Sequence, residues 1–316
     1  MELKKIIVDC DTGTDDAVAL IILIAAHKQK QIEIKGITCV RGNTHVDNVI
    51  CNVYRILQIC DTLDIPVYRG VNAALLNTES ARIIDADTYH GADGLGDVFT
   101  NKQDTSKLQT EHAVVALQKI VSENPGEISL VCMAPLTNVA LAMKMYPDFG
   151  NSLKELYIMG GNYTGKGNIT AQAEFNFFAD PESAHIVLNS ITEPLILLPW
   201  ETCLASEIAL EWRHEVLGKM DNAIVTFLNA IETHTYPKTK PSPYKPCDGL
   251  LAAIVIRPEI VKLEEKFHAD IELHGGRTRG QVVLDHLQSR KPNVRIIMAY
   301  DAEIFKEILL LAVKQD

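Results

Sequence analysis

Four aspartates fall within eight residues near the start of the chain: Asp9, Asp11, Asp15 and Asp16, in the segment IIVDCDTGTDDAVAL. Carboxylates held this close repel one another, so either some take up protons or a cation holds them. Ligation by anionic oxygens alone suits a hard divalent ion, calcium or magnesium. A strand period of two places Asp9 and Asp11 on one face, pointing past the strand's end. The turn Thr12-Gly13-Thr14 then brings Asp15 and Asp16 back towards the same place. A plainer reading has Asp15 and Asp16 merely complementing the positive end of a helix, worth about 0.3–1 kcal/mol each. That accounts for one aspartate and leaves the two at the strand end unexplained.

The elements that must position this cluster are legible in the apolar pattern. Residues 4–10 read as a buried strand, and 14–29 as a helix with acidic residues in its first turn. Further strands are expected at 32–40, 66–70, 128–133, 156–159 and 195–200, with helices at 43–62, 111–123, 136–145 and 180–189. Solid apolar strands alternating with helices predict an α/β protein, its open sheet mainly parallel and covered by helices on both faces. Ligands in such sheets bind beyond the carboxyl ends of the strands, where the aspartates stand.

The last third is more helical, at 206–218 and 221–234, until YPKTKPSPYKPCDG (236–249) interrupts it with four prolines. Strand-like pieces at 269–273, 281–284 and 294–298 follow, with a closing helix from 301. No internal repeat or linker divides the chain, so residues 1–316 are expected to form a single domain. Long loops at 72–106 and 160–178 have lengths that usually signal function or disorder.

Composition narrows the partners. The chain has 316 residues, 47% of them apolar, with a formal net charge of −11 and a pI near 5.4. Such acidity argues against sequence-independent binding to nucleic acid or to anionic membranes, which needs basic patches. No apolar run reaches the length of a membrane span. The opening MELKKIIVDCD has neither the long apolar stretch nor the cleavage site of a signal peptide, so a soluble cytoplasmic protein is expected. Seven cysteines, odd in number and without a C-x-x-C pair, fit reduced and buried thiols. The sequons at Asn162 and Asn168 are accordingly expected to carry no glycan.

The segment DCDTGTDDAVAL resembles the signature of the nucleoside hydrolase family, usually D-x-D-P-G-x-D-D-A, with Thr12 in place of the common proline. Further motifs follow in the family's order: VRGN (40–43), YHGADGLG (89–96), APLTN (134–138) and IMGGNYTGKGNITAQAEFNFFADPESA (158–184). The resemblance implies a single open α/β domain with a mixed, mainly parallel sheet, and hydrolysis of the N-glycosyl bond of a ribonucleoside. It implies a Ca2+ ion held by Asp11, Asp16, Asp248 and the Met133 carbonyl, with Asp11 as the base that deprotonates the attacking water. It further implies that Asp15, Asn168, Glu174 and Asn176 hold the ribose hydroxyls, that Asn43 orients the water or sugar, and that His90 faces the nucleobase. By itself, the sequence around Asn168, Glu174 and Asn176 reads as turn residues and an exposed acid. Family members are commonly dimeric or tetrameric, and the role implied is nucleoside catabolism or purine salvage.

One position departs from the family. Many members carry a histidine immediately before the late metal-binding aspartate, acting on the departing base; here that position is Cys247, as in a recognised subgroup. A thiol with an ordinary pKa near 8.5 is able in principle to donate a proton, through weak hydrogen bonds. His234, Tyr236 and Tyr244, in or beside the proline-rich run, are candidates for closing over the base, although local packing explains them equally well. Two other functions stay open at this point: a nucleoside or ribose sensor on the same fold, and a phosphotransferase of the haloacid-dehalogenase type with Asp9 as nucleophile. The latter motif continues D-x-D-x-T or V, whereas Gly13 occupies the fifth place here, and the Asp15–Asp16 pair is extra to it. GGNYTGKGN is glycine-rich, but Gly167 follows its Gly-Lys, so it is not a P-loop.

Overall fold

The computed structural model describes residues 3–76, 83–84, 89–237 and 242–314. Residues 77–82 and 85–88 of the loop expected at 72–106, and 238–241 of the proline-rich run, lie outside the described residues. In chain order the elements that matter are β1 (Lys4–Cys10), α1 (Thr14–Lys28), β2 (Ile32–Cys39), α2 (Val46–Ile59), β3 (Val67–Arg69) and α3 (Ala113–Glu123). They continue with β4 (Ile128–Cys132), α4 (Thr137–Met145), β5 (Glu155–Met159), α5 (Phe175–Ala179), α6 (Pro181–Asn189) and β6 (Leu195–Leu198). The remainder is α7 (Trp200–Leu204), α8 (Leu210–Glu215), α9 (Ala223–Ile231), α10 (Cys247–Ile256), β7 (Val261–Phe267), β8 (Ala269–Ile271), β9 (Val282–Leu284), β10 (Val294–Tyr300) and α11 (Ala302–Ala312).

The main sheet runs β3-β2-β1-β4-β5-β6-β10-β7, and every pairing is parallel except β10 with β7. It is therefore mainly parallel and mixed, as expected. The pleat of β1 feeds both layers: Ile6, Val8 and Cys10 join the core that holds α1, α2 and α10, and Ile7 joins the core under α3, α4 and α6. Helix α1 is buried continuously from Asp16 to Ala26. A helix apolar on every side must be covered all round, and α1 packs against α10, α11, α9, α2 and β2.

Four features depart from the sequence expectation. The helix expected at 206–218 is only α8 with a 3-10 turn at Leu217–Lys219, because tertiary pairing claims the residues before it. Ser206 Oγ donates to the Tyr244 carbonyl, Tyr244 N donates to the Ile208 carbonyl, and Ala209 bridges to Pro243. The strand-like pieces at 269–273 and 281–284 form a separate antiparallel ribbon, β8–β9. The unexpected strand β7, VKLEEKF, is the sheet's antiparallel edge, and its charged residues suit an edge exposed to water. Helix α10 also went unseen, since it starts directly after the prolines with Pro246 as its N-cap residue.

Candidate active site

The carboxyl ends of β1, β2, β4, β5 and β6 converge on one cavity of about 400 Å3. Just past β1, Asp11 is fully buried. Its Oδ2 accepts from Asn43 N at 2.8 Å, and its Oδ1 accepts from Asn43 Nδ2 at 3.1 Å. The neighbouring Gly42 permits this grip, because a Cβ there would stand 1.9 Å from Asp11 Oδ2 and 2.8 Å from Pro135 Cδ. Asp16 Oδ2 accepts from Gly13 N at 2.9 Å and Asn43 Nδ2 at 3.2 Å, while its Oδ1 accepts from Asp11 N at 3.3 Å. The helix-capping reading is thus correct for Asp16, and it does not exhaust the cluster.

Asp248 comes from the first turn of α10, far along the chain, and its buried Oδ1 has no hydrogen-bond partner. Leaving a buried acceptor unsatisfied costs about 1–3 kcal/mol, more when it is charged. One oxygen each from Asp15, Asp16 and Asp248 lie within 4.8 Å of one another. Burial first, and then Asp15 and Asp16, push Asp248 well above the usual carboxylate range. Asp16 is pushed up to about 8 by burial and then by Asp15. Asp11 is likewise raised by burial and by Asp16. No lysine or arginine among the described residues pairs with these acids. An all-oxygen, unneutralised cluster of this kind fits a hard divalent cation. Asp11 stands outside the trio. The Met133 carbonyl, at the end of β4, accepts from Asn176 Nδ2 at 3.3 Å on the same cavity.

Asp15, Asn43, His90, Met133, Asn168, Glu174, Asn176, Cys247 and Asp248 all line the cavity, and Asp11 and Asp16 lie beneath it, joined to it through Asn43. Glu174 is neither exposed nor a turn residue. It caps α5, accepting from Asn176 N, Phe177 N and Gly161 N, and burial raises it to about 7. His90 Nδ1 accepts from Thr14 N at 3.1 Å, so the ring proton belongs on Nε2, which faces Asp15 Oδ1 at 3.6 Å. Cys247 Sγ donates to the Lys245 carbonyl at 3.5 Å, and the thiol is pushed well above its usual value by Cys203 and by burial.

Asp9 belongs elsewhere. It is buried away from the cavity, its Oδ1 accepting from Thr38 Oγ1 at 2.5 Å and Asn138 Nδ2 at 2.8 Å. A nucleophile needs access, so the phosphotransferase reading fails here. Of the three candidates near the proline-rich run, Tyr236 lines the cavity; Tyr244 is buried, donating from its hydroxyl to Glu232, and His234 faces solvent. The seven cysteines are free thiols, six of them buried. Asn162 is buried with its amide engaged by Lys166, Gln172 and Val282, which leaves no room for a glycan. Sequence reasoning missed Trp200, Lys245, Ile169 and Phe175, which also line the cavity. The position of Trp200 at the end of a parallel strand was the available signal; Lys245 offered none.

The family profile described as inosine-uridine preferring nucleoside hydrolase matches residues 6–307. The chain is 33% identical to an inosine-uridine preferring nucleoside hydrolase of Leishmania major, over 96% of this chain and 94% of that protein. It is also 33% identical to the pyrimidine-specific ribonucleoside hydrolase RihB of Escherichia coli (strain K12 / DH10B), covering 96% of this chain and 95% of the relative. Among solved structures it superposes on an inosine-guanosine nucleoside hydrolase with a TM-score of 0.90 at 28% identity, covering 99% of both chains. With the matched residues spanning nearly its whole length, the chain belongs to the inosine-uridine preferring nucleoside hydrolase family, hydrolases that act on the N-glycosyl bonds of ribonucleosides.

Proposed function

We propose that this chain is a calcium-dependent ribonucleoside N-ribohydrolase that releases ribose and a free purine or pyrimidine base. The observation that carries the proposal is the acidic floor of the cavity, where Asp15, Asp16 and Asp248 crowd together with no lysine or arginine paired to them and with Asp248 Oδ1 buried and unpartnered. A calcium ion there would bind ribose hydroxyls and lower the pKa of a water molecule. Asp11, Asp16, Asp248 and the Met133 carbonyl would hold the ion. Asp11 accepts the proton of the attacking water, since burial and Asp16 make it more basic than a surface aspartate. Asn43 fixes both oxygens of Asp11, which keeps the base aimed. Asp15, Asn168, Glu174 and Asn176 take the ribose hydroxyls, and tighter bonds to these in the oxocarbenium-like transition state accelerate cleavage. His90, held by Thr14 and Asp15, stands at the base side. Cys247 occupies the usual histidine's place.

The remaining features go with this reading: a single domain, a cytoplasmic homodimer or homotetramer, and a role in nucleoside catabolism or purine salvage. No described helix is long and apolar enough to cross a membrane. The test is reducing-sugar release from inosine, guanosine, adenosine, uridine, cytidine and nicotinamide riboside, with Asp11→Asn as the blank. Release by the wild type and not by the variant is expected. Saturable nucleoside binding without turnover, over a wide pH range and with calcium bound, would replace the enzyme by a sensor.

A further inference from the structure

The lining of the cavity carries charge of both signs. Asp15, Glu174 and Asp248 supply its carboxylates, and Lys245 is the one lysine or arginine among the described lining residues. Its Nζ stands 5.5 Å from the centroid of the Trp200 ring, within cation–π range, and no ion pair engages it among the described residues. Its backbone is fixed, since Lys245 N donates to Tyr236 Oη at 3.2 Å and its carbonyl accepts from Cys247 Sγ at 3.5 Å. The ammonium therefore lies against the Trp200 indole instead of pairing with a carboxylate, on a residue that lines the cavity. The S–H of Cys247, by contrast, already points at a carbonyl.

We propose that Lys245 determines base specificity: its ammonium donates to a ring carbonyl oxygen of an oxo-substituted nucleobase, while Trp200 offers that ring a face. The inference rests on the N-ribohydrolase reading and names the substrate class that site prefers. During cleavage the water oxygen bonds to C1′ while the C1′–N bond breaks, and the water's proton passes to Asp11. The electron pair of the broken bond moves onto the base, where it delocalises to the carbonyl oxygen that Lys245 holds. The released anion then takes a proton from solvent. No acid need protonate the base beforehand. A base carrying an amino group at that place sets N–H against N–H, leaving donors on both sides unpaired.

The experiment compares Lys245→Met with the wild type on inosine, adenosine and p-nitrophenyl riboside, whose leaving group needs no activation. Quenching of tryptophan emission by hypoxanthine and by adenine is measured alongside, because it requires no turnover. The variant is expected to lose about 10- to 100-fold in kcat/KM on inosine and to change by less than about 3-fold on the other two. Hypoxanthine binding should weaken in parallel while adenine binding holds. Equal losses on all substrates, or unchanged inosine turnover and hypoxanthine binding, would overturn the proposal while the enzyme reading stood. Should the wild type cleave nothing, the enzyme reading falls, and a Lys245-dependent preference for hypoxanthine over adenine still decides the role of this residue.

Discussion

The acidic floor of the cavity and the part of its wall made by Trp200, Tyr236 and Lys245 are built in different ways. The floor takes Asp11, Asp15 and Asp16 from the junction of β1 and α1, and all four carboxylate oxygens of Asp11 and Asp16 answer a backbone amide or the Asn43 side chain. The wall gathers Trp200 from the end of β6, Tyr236 after α9 and Lys245 before α10, and packs them by ring contacts and single hydrogen bonds. On the proposed assignment, the part that meets an invariant sugar is held by several hydrogen bonds of ordinary length. A site that must recognise one of several bases is assembled from segments free to vary independently. Variants on the floor should therefore abolish chemistry, and variants on the wall should redistribute substrates.

The largest effect is expected at Asp248. Asp248→Asn should cut ribose release by about 10³-fold or more, through loss of a metal ligand and of transition-state contacts. Thermal melting supplies a sharper criterion than rate. Calcium at about 100 times its Kd adds roughly 2.7 kcal/mol to a protein that binds it only when folded, so chelation should lower the wild-type Tm. In chelator the variant should melt above the wild type, because one charge leaves a crowded acidic floor; in calcium it should melt below. Parallel melting curves with no crossing would break the assignment of this floor to a cation.

Next comes Gly42→Ala. The added Cβ would meet Asp11 Oδ2 at 1.9 Å and Pro135 Cδ at 2.8 Å, and the proline ring yields less than a carboxylate. Asp11 must shift off Asn43, and a displacement near 1 Å at a reacting group costs about 10²-fold in rate. The variant is expected to bind calcium and to lose kcat with KM little changed. A normal kcat would show that the Asn43 grip on Asp11 has no part in turnover.

On the wall the expected change is smaller and of another kind. Trp200→Ala removes the ring proposed to offer the base a face, and KM for nucleosides should rise about 10-fold, equivalent to about 1.4 kcal/mol. The kcat should fall by less. A loss of kcat as large as that of Asp248→Asn would erase the distinction between floor and wall.

This division also explains what the sequence disclosed. The floor was legible because local rules write it: an apolar strand, a glycine turn and acids in a first helical turn lie within thirteen consecutive residues, 4–16. Local rules equally predicted most of the parallel strands and their helices. They failed where partners are remote. Nothing near Glu174 says that it caps α5 and holds Gly161, and nothing near Lys245 says that β6 delivers an indole beneath it. Helix α10 was hidden by the prolines that precede it, and β7 by charges that belong on an edge. Asp9 shows the opposite failure, since its alternation with Asp11 suggested a shared task although it serves the core beneath.

Asp9 yields the smallest expected effect, and it separates a buried acid of the core from those of the floor. Burial raises its pKa from 3.8 to about 7, against the opposing donors Asn138 and Thr38, and its Oδ2 has no partner. A folded-state pKa above the unfolded one means that the native protein holds this proton more tightly. The corresponding stability is complete below about pH 4 and drains away as pH rises towards 7, at no more than about 1.4 kcal/mol per pH unit. Asp9→Asn keeps the acceptor at Oδ1 and cannot ionise, so urea unfolding of the variant should lose part of the wild type's decline between pH 5 and 7.5. Its turnover should stay within about 3-fold of the wild type, because the Asp9 side chain meets Thr38 and Asn138 and does not line the cavity, while its link to Met133 runs through the main chain. An unaltered pH slope would mean that Asp9 is charged in its buried site; a collapse in turnover would place it on the floor after all, and the boundary between the floor and the core beneath it would have to be redrawn.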